Sequence, residues 1–240
     1  MYLGGAIIAI VISSIAYAVR YHSMVQKLKR QLRASPVHTL TSMPDNAVVR
    51  IVGQAFAVGE QGPTLYAPLT GRPCLMYIVI VEERVGKSME QIIREQGSVS
   101  FVLADSTSTA LVDPTGAQTV LTFDCATHSG TFDPANAIEK ALLARHGEQS
   151  TNKLFNRNLH YREAVVEVGE TVAVLGSGVR NPELDNATNV EGHDTRPRVL
   201  FSSSAKFPLV ISDWPNATRN KTITVPSARL LPSEPPSCGG

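Results

Sequence analysis

The residues best suited to metal binding lie near the middle of the chain, where two residues separate Cys125 from His128. This spacing occurs in pairs of zinc ligands, but a structural zinc site needs four Cys or His ligands. His146 and His160 follow without a paired spacing, and the three cysteines include no Cys-X-X-Cys. We therefore predict no metal ion, with Cys125 as a buried thiol. The odd cysteine count also argues against a disulfide framework and favours a reducing compartment.

Each candidate nucleophile lies at a position that a structural role explains more simply than catalysis does. Ser177 lies between Gly176 and Gly178, which does not match the Gly-X-Ser-X-Gly turn of hydrolases. Cys74 begins a long apolar run, which predicts a thiol of the core. Glu82 and Glu83 are adjacent, so they would point to opposite faces of a strand. Glycine motifs that bind phosphate do not occur in the sequence. We predict no catalytic residue and no cofactor.

Charge is distributed unevenly along the 240 residues, although the formal net charge is only +1. Five of the 22 Lys and Arg precede the first acidic residue, Asp45. The rest of the chain therefore has 17 basic residues against 21 acidic ones, a balance of −4. Since a domain that binds duplexes needs a basic surface, we predict no nucleic-acid partner.

An uncharged apolar run extends from Tyr2 to Val19. At 1.5 Å per residue, a helix of this length spans about 27 Å, close to the roughly 30 Å hydrocarbon core of a bilayer. A cleaved signal peptide is the alternative, but its positive charges would precede the run rather than follow it. We predict a transmembrane helix over residues 1–21. The basic flank predicts a single-pass protein of the bacterial inner membrane with its body in the cytoplasm.

Residues 22–44 are predicted to form a basic helix and a short linker. Met24, Leu28 and Leu32 recur every four residues, and Ser35-Pro36 should end the helix. The basic side chains either bind anionic lipids or only set the topology; they are Lys27, Lys29, Arg30 and Arg33. Under this interpretation, deletion of residues 1–33 leaves a soluble body.

The body, residues 45–228, consists of short β-branched runs separated by Gly, Pro and Asp turns. This pattern predicts a mostly β fold with one or two short helices (α+β), built as a compact antiparallel barrel or sandwich. Residues 229–240 are predicted to be disordered, and no role is assigned to Cys238-Gly239-Gly240. The predicted strands are Ala47–Val52, Cys74–Val81, Val99–Leu103, Thr109–Val112, Gln118–Phe123, Ala164–Val168, Thr171–Leu175, Arg198–Ser202 and Pro208–Ser212.

Helix and turn signals are fewer. Asp133 as N-cap and Pro134 as first residue predict a helix that continues to Gly147. Residues 88–96 predict a short second helix. Gly169-Glu170, between two strand-like runs, predicts a hairpin because glycine adopts the positive φ of a tight turn.

Three segments carry a family resemblance. They are Tyr66-Ala-Pro-Leu-Thr-Gly-Arg-Pro-Cys-Leu-Met-Tyr77, then Phe101-Val-Leu-Ala-Asp105 with Ala110-Leu-Val-Asp-Pro-Thr-Gly-Ala117, and Tyr161-Arg-Glu163 leading to Val168-Gly-Glu-Thr-Val-Ala-Val-Leu-Gly176. Together these segments resemble the GIDE domain, also called BAM for "beside a membrane". That domain occurs in membrane E3 ubiquitin ligases of the MULAN type and in prokaryotic membrane proteins.

The resemblance implies a domain next to a membrane helix. The family's ligases add a second membrane helix and a C-terminal RING, whereas the last 30 residues of this chain contain one cysteine and no histidine. We therefore expect a non-catalytic module that binds a protein or a ligand at the membrane. The alternatives are a ubiquitin ligase-like protein that needs a separate RING partner, and an assembly subunit that oligomerises through its anchor.

Within the resembling segments, the candidates for a binding groove are Arg72, Tyr77 and Glu163. Glu163 is expected to pair with Arg72 or Arg162. The structural alternative is that these residues only build turns and core.

Overall fold

The computed structural model describes residues 23–45, 47–59, 65–152, 155–180, 197–204 and 207–219. These residues form a mostly β fold, as the sequence predicts. The helices are α1 (residues 23–34), α2 (Ala137–Arg145) and α3 (Pro215–Thr218). The strands are β1 Val37–His38, β2 Val48–Ala57, β3 Leu65–Tyr66, β4 Pro73–Cys74, β5 Met76–Val85, β6 Ser88–Ser98, β7 Phe101–Ala104, β8 Thr109–Val112, β9 Gln118–Val120, β10 Cys125–Ser129, β11 Leu159–Val166, β12 Thr171–Arg180, β13 Val199–Phe201 and β14 Val210–Ser212.

Five strands close a small barrel in the order β2-β7-β8-β13-β12, and β12 pairs again with β2. All of these pairings are antiparallel except β8 with β13, which is parallel. Alternate residues of β2 face inward, so that Val49 and Ile51 join the core cluster that also contains Phe101 and Phe201. β14 and β9 extend the sheet beyond β12.

The second sheet has four antiparallel strands in the order β10-β11-β5-β6. Helix α2 packs on one face of this sheet through Leu142 and Leu143, against Val79 and Tyr161. Met76 and Val166, where β5 and β11 pair, belong to the barrel core instead. The paired ends of β5 and β11 therefore connect the second sheet to the apolar core of the barrel.

The predicted helix over residues 88–96 is wrong, because this segment is the strand β6. It follows β5 through the two-residue turn Gly86-Lys87 and pairs with that strand from Val85 back to Met76. Pairing with a long apolar neighbour overrides the helix propensity of its Glu, Gln and Arg residues.

Helix α2 was correctly expected, but its predicted start at Asp133 is wrong. The N-cap is Asn136, which accepts a hydrogen bond from the Glu139 amide while the Glu139 side chain accepts one from the Asn136 amide. This reciprocal capping box satisfies two amides that a helix end leaves free.

The predicted hairpin at Gly169-Glu170 is also wrong. Gly169 does adopt a positive φ of 86°. However, β11 before it pairs with β5 and β10, whereas β12 after it pairs with β2, β13 and β14. The turn therefore carries the chain from the second sheet into the barrel.

Residues 23–34 are helical, and Ser35 donates a backbone hydrogen bond to Gln31 at the helix end, as predicted. The stretch after it is not the linker that the sequence suggested. β1 pairs with β2, and Leu40 and Met43 lie in the barrel core with 1% and 2% of their surface exposed. These residues are therefore part of the folded domain.

The cysteines differ from one another. Cys74 is free and completely buried, as predicted, and burial raises the pKa of its thiol to about 11. Cys125 is disulfide-bonded, so the expected free thiol is wrong.

No helix within the described ranges is long and apolar enough to cross a membrane. The predicted span Tyr2–Val19 and the predicted disordered tail, residues 229–240, both lie outside those ranges.

Candidate functional site

Glu163 is placed inside the protein by the alternation of β11. Leu159, Tyr161 and Val165 face the apolar cluster under α2, and Glu163 shares their face with none of its surface exposed. A buried carboxylate must find donors, and this one accepts hydrogen bonds from the turn before β4. The Leu69 amide donates at 2.7 Å, the Thr70 amide at 3.1 Å and the Thr70 hydroxyl at 2.5 Å.

Arg72 lies at the end of the same turn. The turn closes through the Ala67 amide, which donates to the Arg72 carbonyl, and Gly71 supplies a φ of 67° that other residues rarely adopt. The Arg72 guanidinium donates from Nε to the Thr70 hydroxyl at 3.3 Å. Thr70 therefore links Arg72 to Glu163, so the structure brings two of the three candidate groove residues together.

The expected ion pairs of Glu163 do not form. Arg72 pairs instead with Asp124 at 3.5 Å and Glu167 at 3.3 Å. Arg162 pairs with Glu82 at 3.0 Å, and its guanidinium lies 4.6 Å from the centre of the Phe123 ring. The backbone amides of the turn take the place that a guanidinium was expected to occupy.

Tyr77, the third candidate, belongs to a different network. Its hydroxyl donates to Glu95 at 2.7 Å, and the other Glu95 oxygen lies 2.7 Å from His146 Nε2 and 3.3 Å from Arg145. Burial and this hydrogen bond raise the pKa of Tyr77 to about 12. Burial alone would raise the pKa of Glu95, but the bonds from His146 and Tyr77 hold it below its ordinary value. A phenol with a pKa of about 12 is a poor acid and keeps its proton at neutral pH, so this network favours a structural role.

The Tyr77 ring also explains a glycine on the neighbouring strand. Gly97 is its partner on β6, and a Cβ added there would lie 2.4 Å from the ring. The ring therefore covers the backbone of β6 and cannot face a groove on that side.

An acidic cluster that no sequence pattern indicated adjoins Arg72. It consists of Asp124 and Glu167, which pair with Arg72, and of Glu170 and Asp213 near them. Asp213 accepts from the Thr122 amide at 2.8 and 3.1 Å. Burial, with Glu170 and Asp124 nearby, raises the pKa of Asp213 to about 7. Burial also raises the pKa of Glu170. These residues come from three loops far apart in the sequence, so no spacing could indicate them.

The acidic cluster contains one carboxyl group, Asp213, with a pKa near neutral pH, but it forms no cation site. Groups of three or more His, Cys, Asp or Glu placed to hold a metal ion do not occur among the described residues. The Cys125–His128 pair is not a ligand pair either, because Cys125 is disulfide-bonded and His128 is exposed, 3.7 Å from Asp133.

The basic helix α1 has two unlike faces. Leu28 and Leu32 are buried against the outside of the barrel, where Ala173, Leu175 and Val210 line the contact. Lys29 Nζ lies 4.9 Å and the Arg33 guanidinium 4.6 Å from the ring centre of Trp214, which precedes α3. Lys27 and Arg30 are exposed. Of the four residues predicted to meet lipids, Lys29 and Arg33 therefore contact the domain through Trp214, although Arg33 is exposed like Lys27 and Arg30.

Comparisons with known proteins give no relative: no family model, no curated protein and no solved structure matches this chain.

Proposed function

We propose that this protein is a non-catalytic binding or sensing module held at a membrane by its N-terminus, with the GIDE/BAM-like character that its sequence segments suggest. The observation that carries the proposal is the packing of α1 on the barrel. Helix α1 follows the uncharged run Tyr2–Val19 after only three residues. Because Leu28 and Leu32 bury α1 against the domain, the helix that follows this run is part of the folded domain.

The polar clusters support a binding role over catalysis. Glu163 accepts three hydrogen bonds from one turn, and Tyr77 is bound to Glu95 with a raised pKa. The Tyr77 phenol is not poised to give up a proton to a substrate at neutral pH, and the Glu163 carboxylate has no exposed surface. The partner is a protein or ligand at the membrane surface, where Lys27 and Arg30 provide attraction to anionic lipids.

Alkaline carbonate extraction of membranes tests the anchor. We expect the full-length protein to stay in the pellet. The matched variant I8D/I12D places two charges in the run, which costs about 2.5 kcal/mol or more for each one at a helix centre, and should release the protein. Release of the unaltered protein into the supernatant would refute the anchor.

A reporter fused after Gly240 tests the orientation. The basic flank favours a cytoplasmic body, which predicts an inactive alkaline phosphatase fusion. The disulfide at Cys125 argues for the opposite side, because disulfides persist in oxidising compartments. Phosphatase activity would therefore place the body outside the cytoplasm and overturn the orientation while leaving the anchor intact.

A further inference from the structure

Arg50 is a buried guanidinium whose charge has no counter-ion in the part of the chain that the structure describes. It lies in β2 between Val49 and Ile51, which face the barrel core, so its side chain points outward. Its partner on β12, Leu175, packs on that outer face with residues of α1 and α3. Only 5% of its surface is exposed. None of the ion pairs among the described residues includes it, and burial lowers its pKa from the ordinary value.

One edge of this guanidinium has a hydrogen-bond partner, and another has none. Nη1 donates to the Ala217 carbonyl of α3 at 3.2 Å. Nε is buried without a hydrogen-bond partner. The Nε edge of arginine is one of the two sides that bind carboxylate or phosphate oxygens through parallel hydrogen bonds. A buried charge of this kind is costly unless an anion pairs with it.

The surrounding layer is basic. Residues 23–34 contain four basic and no acidic side chains, and Arg219 follows α3. Lys29 and Arg33 lie over Trp214, whose carbonyl accepts the Ala217 amide in the turn that also binds Arg50. The neighbouring acid Asp213 is bound instead to the Thr122 amide, on the side of Glu170 and Asp124.

We propose that the Nε edge of Arg50, between α1 and α3, is an oxyanion site that takes a phosphate group, supplied by an anionic lipid headgroup or by free phosphate. The site itself is independent of the proposed membrane anchor; only the lipid source depends on it. Access requires α1 to lift at its polar edge, where the contacts are two cation–π interactions worth about 0.5–1 kcal/mol each.

The only tryptophan of the chain, Trp214, reports on this site directly. Full-length protein in phosphatidylcholine nanodiscs is titrated with inorganic phosphate at constant ionic strength, with chloride as reference. We expect a saturable change in Trp214 fluorescence. R50K keeps the charge but loses the pair of parallel N–H donors, so it should bind phosphate about tenfold more weakly. The control K87Q/K140Q removes two exposed charges, one next to β6 and one on α2, and should bind phosphate like the unaltered protein.

Nanodiscs that contain phosphatidylglycerol distinguish the two sources. If a lipid headgroup fills the site, these discs abolish the response to added phosphate; if free phosphate is the ligand, the response persists. The arginine side-chain NMR spectrum of the unaltered protein gives a second readout that needs no variant, because one Nε–H signal should shift during the titration. The proposal is overturned if neither fluorescence nor that signal responds in any disc, or if K87Q/K140Q loses binding while R50K keeps it.

Discussion

At the scale of single residues, this fold is distinguished by how it treats buried charges. Glu163 is surrounded by donors from one turn, Asp213 lies among other acids, and Arg50 has one unpartnered edge. The free-energy cost of burial differs among these environments. A buried ion with hydrogen-bond partners is tolerated, whereas one without partners favours its neutral form or a ligand. The effects of replacing them should differ accordingly.

Replacing Glu163 with alanine should destabilise the protein, since the Leu69 and Thr70 amides and the Thr70 hydroxyl all lose their acceptor. We expect a loss of about 2–4 kcal/mol in the free energy of unfolding, measured by urea denaturation. The control E82Q breaks the part-exposed pair with Arg162 and should cost about 0.5 kcal/mol. Equal losses in the two variants would contradict a special role for Glu163.

Asp213 should make stability depend on pH. Its folded pKa of about 7 lies above the ordinary 3.8, so the folded state holds the proton more tightly than the unfolded state. Its contribution to stability is therefore fully present below about pH 4 and is lost as the pH rises to 7, by at most about 4 kcal/mol. D213N removes this loss.

The measurement is the difference in free energy of unfolding between D213N and the unaltered protein at pH 5 and pH 8. The difference should favour D213N more at pH 8. D133N, which changes an exposed aspartate, should leave the pH dependence as it is. A difference for D213N that does not change with pH would show that Asp213 is not desolvated.

The sequence indicated two residues of this region and missed the rest, for a physical reason. Arg72 and Glu163 stand in a turn and a strand with recognisable local patterns, so their positions could be predicted, although their partners could not. Asp213 and Arg50 owe their properties to burial by distant segments. Burial of a polar residue depends on tertiary packing that no local spacing reveals.

At the scale of elements, runs of β-branched residues were sufficient to find most strands of the barrel, and β8 has the predicted bounds Thr109–Val112. Pairing partners were not predictable in the same way. The sequence around Gly169 allows a hairpin or a crossing between sheets, and only the competition for partners β2 and β5 decides between them. The strand β6 was wrongly predicted as a helix because its residues have high helix propensity. Pairing with β5 imposes the strand conformation instead.

Helix α1 should depend on Trp214 for its attachment. W214A removes the ring under Lys29 and Arg33 and part of the apolar contact with α1. We expect amide hydrogen exchange in residues 23–34 to become at least about tenfold faster, with exchange in β5 unchanged. W214F keeps an aromatic ring and should show a smaller effect. Unchanged exchange of α1 in W214A would mean that Leu28 and Leu32 alone hold the helix.

At the scale of the whole molecule, the boundary between anchor and domain lies earlier than the sequence suggested. The predicted domain began at residue 45, yet Leu28 and Leu32 cover the outside of the barrel while Leu40 and Met43 fill its core. A basic amphipathic helix resembles a topology signal in the sequence, because its apolar positions become meaningful only when the barrel offers a complementary surface. The folded unit therefore includes α1.

This boundary makes two truncations differ, contrary to the expectation that deleting residues 1–33 leaves an intact body. Removing residues 1–22 keeps α1 and should give a protein that unfolds cooperatively. Removing residues 1–34 exposes the surface that Leu28 and Leu32 cover, and burial of two leucines is worth about 3–6 kcal/mol. The shorter protein should therefore show a much lower thermal midpoint by circular dichroism.

The double variant L28A/L32A within residues 23–240 should reproduce most of that drop, because it removes the contacts without shortening the chain. Identical midpoints for the two truncations would show that α1 is an appendage and would remove the packing of α1 on which the proposed function depends.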